Sequence, residues 1–414
     1  MTMNHASDQS ISSQNPQRRR RVMPAPADRI TNTRVAWANS LARAFCLTAT
    51  VIALAGCAAP AEPRFRMHVI NADSRFEAAG AVDVNRDGKL DIYCAGFWYE
   101  NPTWAKHFVR EVPEQDGYHH TFANLPADVD GDGWTDIIDV TWHTKALFWV
   151  RNPGKSGAPF TVHDVDHPGN METAALVDIN GDGRLDVLPN VMKGGAWYEF
   201  QPDKTAPDGV KWTKHPLPAE VNGPGIGAGD INGDGLCDIV ACKGWLEQGR
   251  EGSLTWHGEF DLVHPGTPIL VHDVDGDGDN DLVYGMAHDY GMYWMEQEQD
   301  ATGRRIWTRH EIDCSWSQVH FFMLADLDND GRQEIITGKR YRAHDTDPGV
   351  NDPKCIYYYK FDRAKRRWHR HTISEGGQAA LGINTMAADL DGDGDLDLIA
   401  PGKSGLYLFE NLLK

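Results

Sequence analysis

The pattern Asp-x-Asp/Asn-x-Asp-Gly-x-x-Asp/Glu occurs seven times in this 414-residue chain. The first copy supplies Asp83, Asn85, Asp87 and Asp91, and the second Asp128, Asp130, Asp132 and Asp136. The third supplies Asp178, Asn180, Asp182 and Asp186, and the fourth Asp230, Asn232, Asp234 and Asp238. The fifth supplies Asp273, Asp275, Asp277 and Asp281. The sixth supplies Asp326, Asp328, Asp330 and Glu334, and the seventh Asp389, Asp391, Asp393 and Asp397. Oxygens at the first, third and fifth positions, a glycine for the sharp turn and a closing carboxylate make an oxygen cage. Hard cations prefer such a cage, and calcium tolerates its loose geometry better than magnesium. An EF-hand closes its loop three residues later and sits between helices, so it does not fit. The expectation is up to seven structural Ca2+ sites, because no general base accompanies the acids.

A second set of residues is cationic. Five to seven residues beyond each closing acid stand Trp98, His143, Lys193, Lys243, His288, Lys339 and Lys403. Their neighbours include Trp142, Trp245, Tyr290, Arg340, Arg342 and His344. GYHHTF adds His119 and His120, NMETA adds Glu172, and SWSQVHF adds His320. On an acidic chain, this cluster predicts one pocket rimmed by Lys, Arg, His and Trp. Two or three of its histidines could hold Zn2+ or another transition metal, although no local His-x-x-x-His spacing marks the site.

The elements that must position both sets repeat with them. The acidic copies are 43 to 63 residues apart, the length of a propeller blade of four short strands. A β-rich run follows each copy, as in DIIDVTW and EIITGK, and an aromatic strand follows that, as in ALFWV and IYYYK. Small residues precede the copies, as an innermost strand requires where blades converge. An outermost strand is marked by an aromatic and a histidine three residues on: Phe65/His68, Trp104/His107, Phe160/His163, Trp212/His215, Trp307/His310 and Trp368/His371. The fourth blade lacks this mark. The fold expected is all-β, a seven-bladed β-propeller with four-stranded blades. The strand at 65–70 joins the last blade and closes the ring, which removes open sheet edges. Acidic loops and cationic residues then fall on opposite faces, a strand length apart.

The formal charge of −20 and the lack of a basic face exclude a nucleic-acid partner. Residues 1–56 differ from the rest, with seven Lys/Arg followed by an apolar run from Ala44 to Ala55. This reads as an export signal. Leu54-Ala55-Gly56-Cys57 resembles a lipobox, in which Cys57 is lipidated and anchors the protein on the periplasmic or extracellular side of a bacterial membrane. Residues 57–64 read as a tether and 65–414 as the propeller. Beyond residue 56, 58 acidic residues stand against 33 basic ones. The five cysteines there (94, 237, 242, 314 and 355) show no disulfide framework.

The acidic repeats resemble the FG-GAP/VCBS repeats of bacterial surface proteins and integrin α-subunits. The stretch SWSQVHFFMLADLDNDGRQEIITGKRYRAHDTDPGVNDP, with GYHHTF and AHDYGMYWMEQ, is similar to the propeller domain of aldos-2-ulose dehydratase. That resemblance implies a carbohydrate lyase that eliminates water from a keto-sugar, with metal ions in the propeller. The cupin domains of the fungal enzyme have no counterpart here, which puts its later isomerisation in doubt. Elimination beside a carbonyl needs a base, an electrophile for the enolate and an acid for the leaving hydroxyl. His320 or His120 could be the base, a metal, Lys339 or Arg340 the electrophile, and Tyr290 or His288 the acid. Trp142 and Trp245 offer flat faces for a sugar ring. His119, His143, Lys193, Lys243, Arg342, His344 and Lys403 would complete the substrate site. A non-catalytic surface propeller that binds a glycan or a protein is the alternative. A cofactor-dependent dehydrogenase is a weaker one, since no cofactor motif appears.

Overall fold

A computed structural model describes residues 62–413, apart from 251, 264 and 267. The leader, Cys57 and the tether up to residue 61 lie outside the described residues. Seven antiparallel four-stranded sheets make up the architecture. The first consists of Gly80–Val82, Asp91–Cys94, Phe97–Glu100 and Ala105–Phe108. The sixth consists of Val319–Ala325, Glu334–Lys339, Cys355–Asp362 and Arg367–Glu375. The seventh pairs Phe65–Asn71 with Leu406–Asn411, so the first described strand completes the last blade as the sequence predicts.

Innermost strands are short and small because neighbouring blades press on them. A Cβ on Gly227 would sit 2.2 Å from the carbonyl oxygen of Ile269 in the next blade, so only glycine fits. Between the blades lie apolar layers, such as Phe321, Ile336, Ile356, Leu381, Leu398 and Phe409 between the sixth and seventh. Burying these alternating faces is the main force that holds the ring together.

The outer-strand histidine is a packing device. It stacks flat on an aromatic of the third strand: His107 on Trp98 at 4.2 Å between centroids, His215 on Trp197 at 3.8 Å, and His371 on Tyr358 at 4.6 Å. The fourth blade has it too, contrary to the sequence expectation. There Leu254 replaces the usual aromatic, and His257 stacks on Trp245 at 4.3 Å. This corrects the assignment of Trp245 to the sugar site. Its side chain is 1% exposed and belongs to the blade interior.

A two-stranded hairpin, Glu114–Gln115 with Tyr118–His119, is inserted between the first and second blades. Its Tyr118 hydroxyl bonds Ala343 O and His344 Nδ1, which joins the hairpin to the segment 340–354.

Candidate functional site

The register fixes the two faces. In the sixth blade Ala325 pairs with Glu334 beside the acidic loop, and Val319 pairs with Lys339 at the other end. Five steps of about 3.3 Å, from Glu334 to Lys339, separate the ends by roughly 17 Å.

Each acidic loop is pre-formed by its own backbone. In the first, Asp83 accepts the N–H groups of Asp87 at 3.0 Å and Gly88 at 2.9 Å. The closing acid is a latch. Asp91 accepts from Val84 N–H at 3.0 Å with one oxygen and from Asn101 N–H at 2.9 Å with the other, tying the loop to the third strand. Asp136, Asp238, Asp281 and Asp397 repeat the arrangement. Amides at the end of the third strand then staple neighbouring blades: Asn101 donates to Leu390 O, Asn152 to Val84 O and Asn411 to Leu327 O. This amide was visible in the sequence but carried no signal there. Carboxylate oxygens of Asp128/Asp130/Asp136, Asp273/Asp275/Asp281, Asp326/Asp328/Asp330 and Asp389/Asp391/Asp397 lie within 4.8 Å of one another in each group. All-oxygen donor sets of this kind fit a hard cation.

At the other end, a cavity of about 350 Å³ is lined by the aromatic and apolar side chains Tyr118, Phe122, Trp142, Met192, Pro224 and Pro265. Its polar wall is His143, Glu172, His288, Arg340 and His344. They come from four different blades or connections, which is why only a closed ring assembles them. Of the residues singled out in the sequence, the cavity gathers Trp142, His143, Glu172, His288, Arg340 and His344. Tyr118, Phe122 and Met192 had been missed. GYHHTF drew attention to its histidines, while the tyrosine points the hairpin inward.

Arg340 anchors the floor. It is 1% exposed, and its guanidinium donates to Glu77 at 2.8 and 3.3 Å and to Glu172 at 2.8 Å. Burial opposes its charge, but the two carboxylates more than offset this and raise its pKa. Lys403 stands nearby with its ammonium 3.7 Å from the Tyr118 ring centroid and bonded to Arg342 O at 3.0 Å; burial lowers its pKa.

His288, His344 and Asp347 form the metal-capable group of this face, with ligand atoms within 4.8 Å of one another. His288 Nδ1 is 2.7 Å from Asp347 Oδ2, and His344 Nδ1 is 3.1 Å from the Tyr118 hydroxyl, which also bonds Ala343 O. Two imidazoles and a carboxylate suit zinc or a similar transition metal. Asp347 was missed because it lies three residues beyond His344 in an irregular loop, where spacing predicts no shared face. Burial, with His288 and Arg340 next, lowers the His344 pKa and keeps the ring in its ligating neutral form.

The remaining predicted residues lie elsewhere. His320 is 1% exposed and sits behind His288, with ring centroids 5.4 Å apart. Burial, then Arg340, pushes its pKa well below the usual value, and its Nε2 has no partner among the described residues. His120 borders a separate recess with Arg110 and Thr141, and His119 packs edge-on against Phe76. Lys339 is fully buried. Its ammonium donates to Ser317 Oγ at 2.8 Å, Gln318 Oε1 at 3.2 Å and Gly349 O at 2.7 Å, so it secures the 340–354 segment and does not face the cavity. Tyr290 donates to Asp352 Oδ2 at 2.5 Å and fastens the far end of the same segment. Arg342 is exposed and paired with Asp345 at 3.2 Å. Lys193 edges a neighbouring recess with Lys145 and His167, and Lys243 is exposed.

A family profile described as the FG-GAP-like repeat matches residues 128–188 and 273–337. No curated protein matches the sequence. Among solved structures, an Agrocybe aegerita lectin that recognises non-reducing terminal N-acetylglucosamine is 17% identical, with 82% of this chain and 91% of that one covered at a TM-score of 0.45. An exotype rhamnogalacturonan lyase is 13% identical, with 83% and 72% covered at 0.43. BBS1N, solved in complex with ARL6DN, is 12% identical, with 86% and 98% covered at 0.49. Likenesses this distant say nothing of activity. The ring makes this chain a seven-bladed β-propeller, two stretches of which match the FG-GAP-like repeat.

Proposed function

We propose that the protein is an exported, calcium-stabilised propeller that acts on carbohydrate as a metal-assisted lyase of the dehydratase type. The observation that carries this reading is the His288–His344–Asp347 group at the wall of an aromatic-lined cavity. A sugar ring needs flat apolar faces and a few fixed polar groups. Tyr118 and Trp142 supply the first, and His143, Glu172 and Arg340 the second.

A metal held by His288, His344 and Asp347 would act as a Lewis acid on a carbonyl oxygen. The chain's own groups would take the proton beside that carbonyl and deliver it to the departing hydroxyl, which leaves as water. His143 is the best-placed base for the proton beside that carbonyl: it lines the cavity, and its Nε2 is bonded to no other protein group among the described residues. Glu172 keeps one carboxylate oxygen on Arg340, which fixes its direction at the cavity wall. Arg340 supplies a permanent positive charge against enolate oxygen. The apolar wall excludes water, which strengthens each of these interactions.

Elimination from a 2- or 3-keto-sugar forms a conjugated enone that absorbs in the ultraviolet. Metal-replete protein incubated with a panel of such sugars should raise that absorbance, and His143→Ala should abolish the rise. Glycan binding without any enone would leave a lectin-like propeller in its place. Export and lipidation at Cys57 belong to the same proposal and are tested by membrane fractionation of the wild type against Cys57→Ala.

A further inference from the structure

The seven acidic loops are not equivalent, and the difference lies in one position of the third strand. Two residues after the third-strand position opposite the outer histidine, which is aromatic in six blades and Leu408 in the seventh, five blades have glutamate: Glu100, Glu199, Glu247, Glu296 and Glu410. The second blade has Arg151 there and the sixth has Lys360.

A glutamate adds no positive charge to its loop; in the fifth blade the half-exposed Arg366, from the turn before the sixth blade's outer strand, bridges Glu296 at 2.5 Å and Asp275 at 2.7 Å. Each glutamate pairs with its blade's outer-strand histidine, at 2.9 Å for His107–Glu100 and 2.7 Å for His257–Glu247. In the first, third and fourth blades each also accepts from the loop's asparagine, as in Asn180 to Glu199 at 2.7 Å. Where the glutamate is gone, the outer histidine turns to another acid: His163 to Asp208 at 3.2 Å and His371 to Glu62 at 3.5 Å. The basic replacement turns into the loop. The Lys360 ammonium is bonded to Asp328 and lies 3.5 Å from Glu334 and 4.0 Å from Asp330. Arg151 reaches Asp130 at 2.5 Å and Asp132 at 3.4 Å. Both loops carry aspartate at their third position, as the fifth and seventh loops also do with Asp275 and Asp391, and in these two the aspartate meets the base of its own third strand.

A divalent ion among Asp326, Asp328 and Asp330 would share its carboxylates with an ammonium a few ångströms away. Like charges that close repel strongly where water is partly excluded. We propose that Lys360 is the resident cation of the sixth loop, and Arg151 that of the second, so that these two blades are pinned without calcium. The oxygen donors of these two loops are those of a hard-cation site, but the base seated among them takes the ion's place.

The wild-type chain tests this directly. Crystals grown with calcium and soaked in terbium should show no anomalous peak within residues 326–334 or 128–136, and a peak in either loop would overturn the proposal. Equilibrium dialysis gives a second measure. Lys360→Glu restores the residue of the other blades and should bind one calcium more per chain than the wild type. Lys360→Gln should also gain one ion, and Lys360→Arg none. An unchanged count in both Lys360→Glu and Lys360→Gln would overturn the assignment.

Discussion

His288 and Asp347 meet across 59 residues of sequence, with Nδ1 2.7 Å from Oδ2. One comes from the tight turn between the second and third strands of the fifth blade and the other from the connection that follows Lys339 in the sixth blade. His344, on the same connection, completes the group. The metal-capable group therefore joins a strand-to-strand turn to a segment without regular structure, so the proposed metal would couple its binding to the order of that segment.

Zinc affinity should reveal that coupling. Losing a group that only supports a metal ligand weakens binding roughly 10–100-fold. Removing a ligand outright should cost more. His288→Ala, His344→Ala and Asp347→Ala are each expected to exceed that loss in a competition assay with a chromophoric chelator, while the fold persists. Wild-type affinity in all three would remove the metal from this face.

Lys339 offers an indirect test of the same coupling. Its ammonium holds Gly349 O, Ser317 Oγ and Gln318 Oε1 without touching the cavity. Burial lowers its pKa, so the charge is already strained. Hydrogen bonds to a charged group contribute about 1.5–3 kcal/mol. Lys339→Met should lower stability by about 2 kcal/mol in chemical denaturation. It should also expose the 340–354 segment to proteolysis and weaken zinc binding. Resistance to proteases equal to the wild type would show that the segment is held by other means.

The sequence carries the fold in this protein because seven in-register copies each repeat the same physical instruction. The site is less legible, and for a definite reason. Strand periodicity tells which end a residue occupies, so the rim histidines could be named. It does not tell which rim residues turn inward. Lys339 and Lys403 have the same place in their repeats, yet one is sealed under a loop and the other lies against Tyr118. Trp245 looked like a sugar platform because its histidine partner was hidden behind Leu254, a non-aromatic variant of the outer-strand mark. Asp347 and Tyr118 lie in a loop and an inserted hairpin, where no repeat applies.

Arg340 should be the most costly single loss on this face. Glu77 and Glu172 are both held by it, and Glu77 is itself buried. Removing one partner of a buried ion pair costs about 3–5 kcal/mol, because the other charge is left unpaired. Arg340→Met is expected in that range. Adding Glu77→Gln should recover part of the loss, since the unpaired charge disappears. A single variant within about 0.5 kcal/mol of the wild type, the range of an ordinary surface change, would show that water satisfies both acids.

The acidic loops predict how metal and pH act together. Burial raises the closing acids of the five calcium loops in the metal-free fold: Asp91, Asp186, Asp238 and Asp397 each to about 6, and Asp281 to about 7. An acid whose pKa is raised by folding adds most stability below its unfolded value, near 4. It loses that contribution as pH rises through the folded value. Metal-free protein should therefore lose stability from these groups between about pH 4 and 7. Calcium binds the ionised carboxylates, so it offsets the loss most at the upper end. The gap in melting temperature between calcium-loaded and EDTA-treated protein should widen steadily from pH 5 to pH 7.5. Taking that difference removes groups away from the loops, such as His320, whose depressed pKa acts in the opposite direction below about 6.5. A gap that is absent, or constant with pH, would mean that the loops hold their shape without calcium.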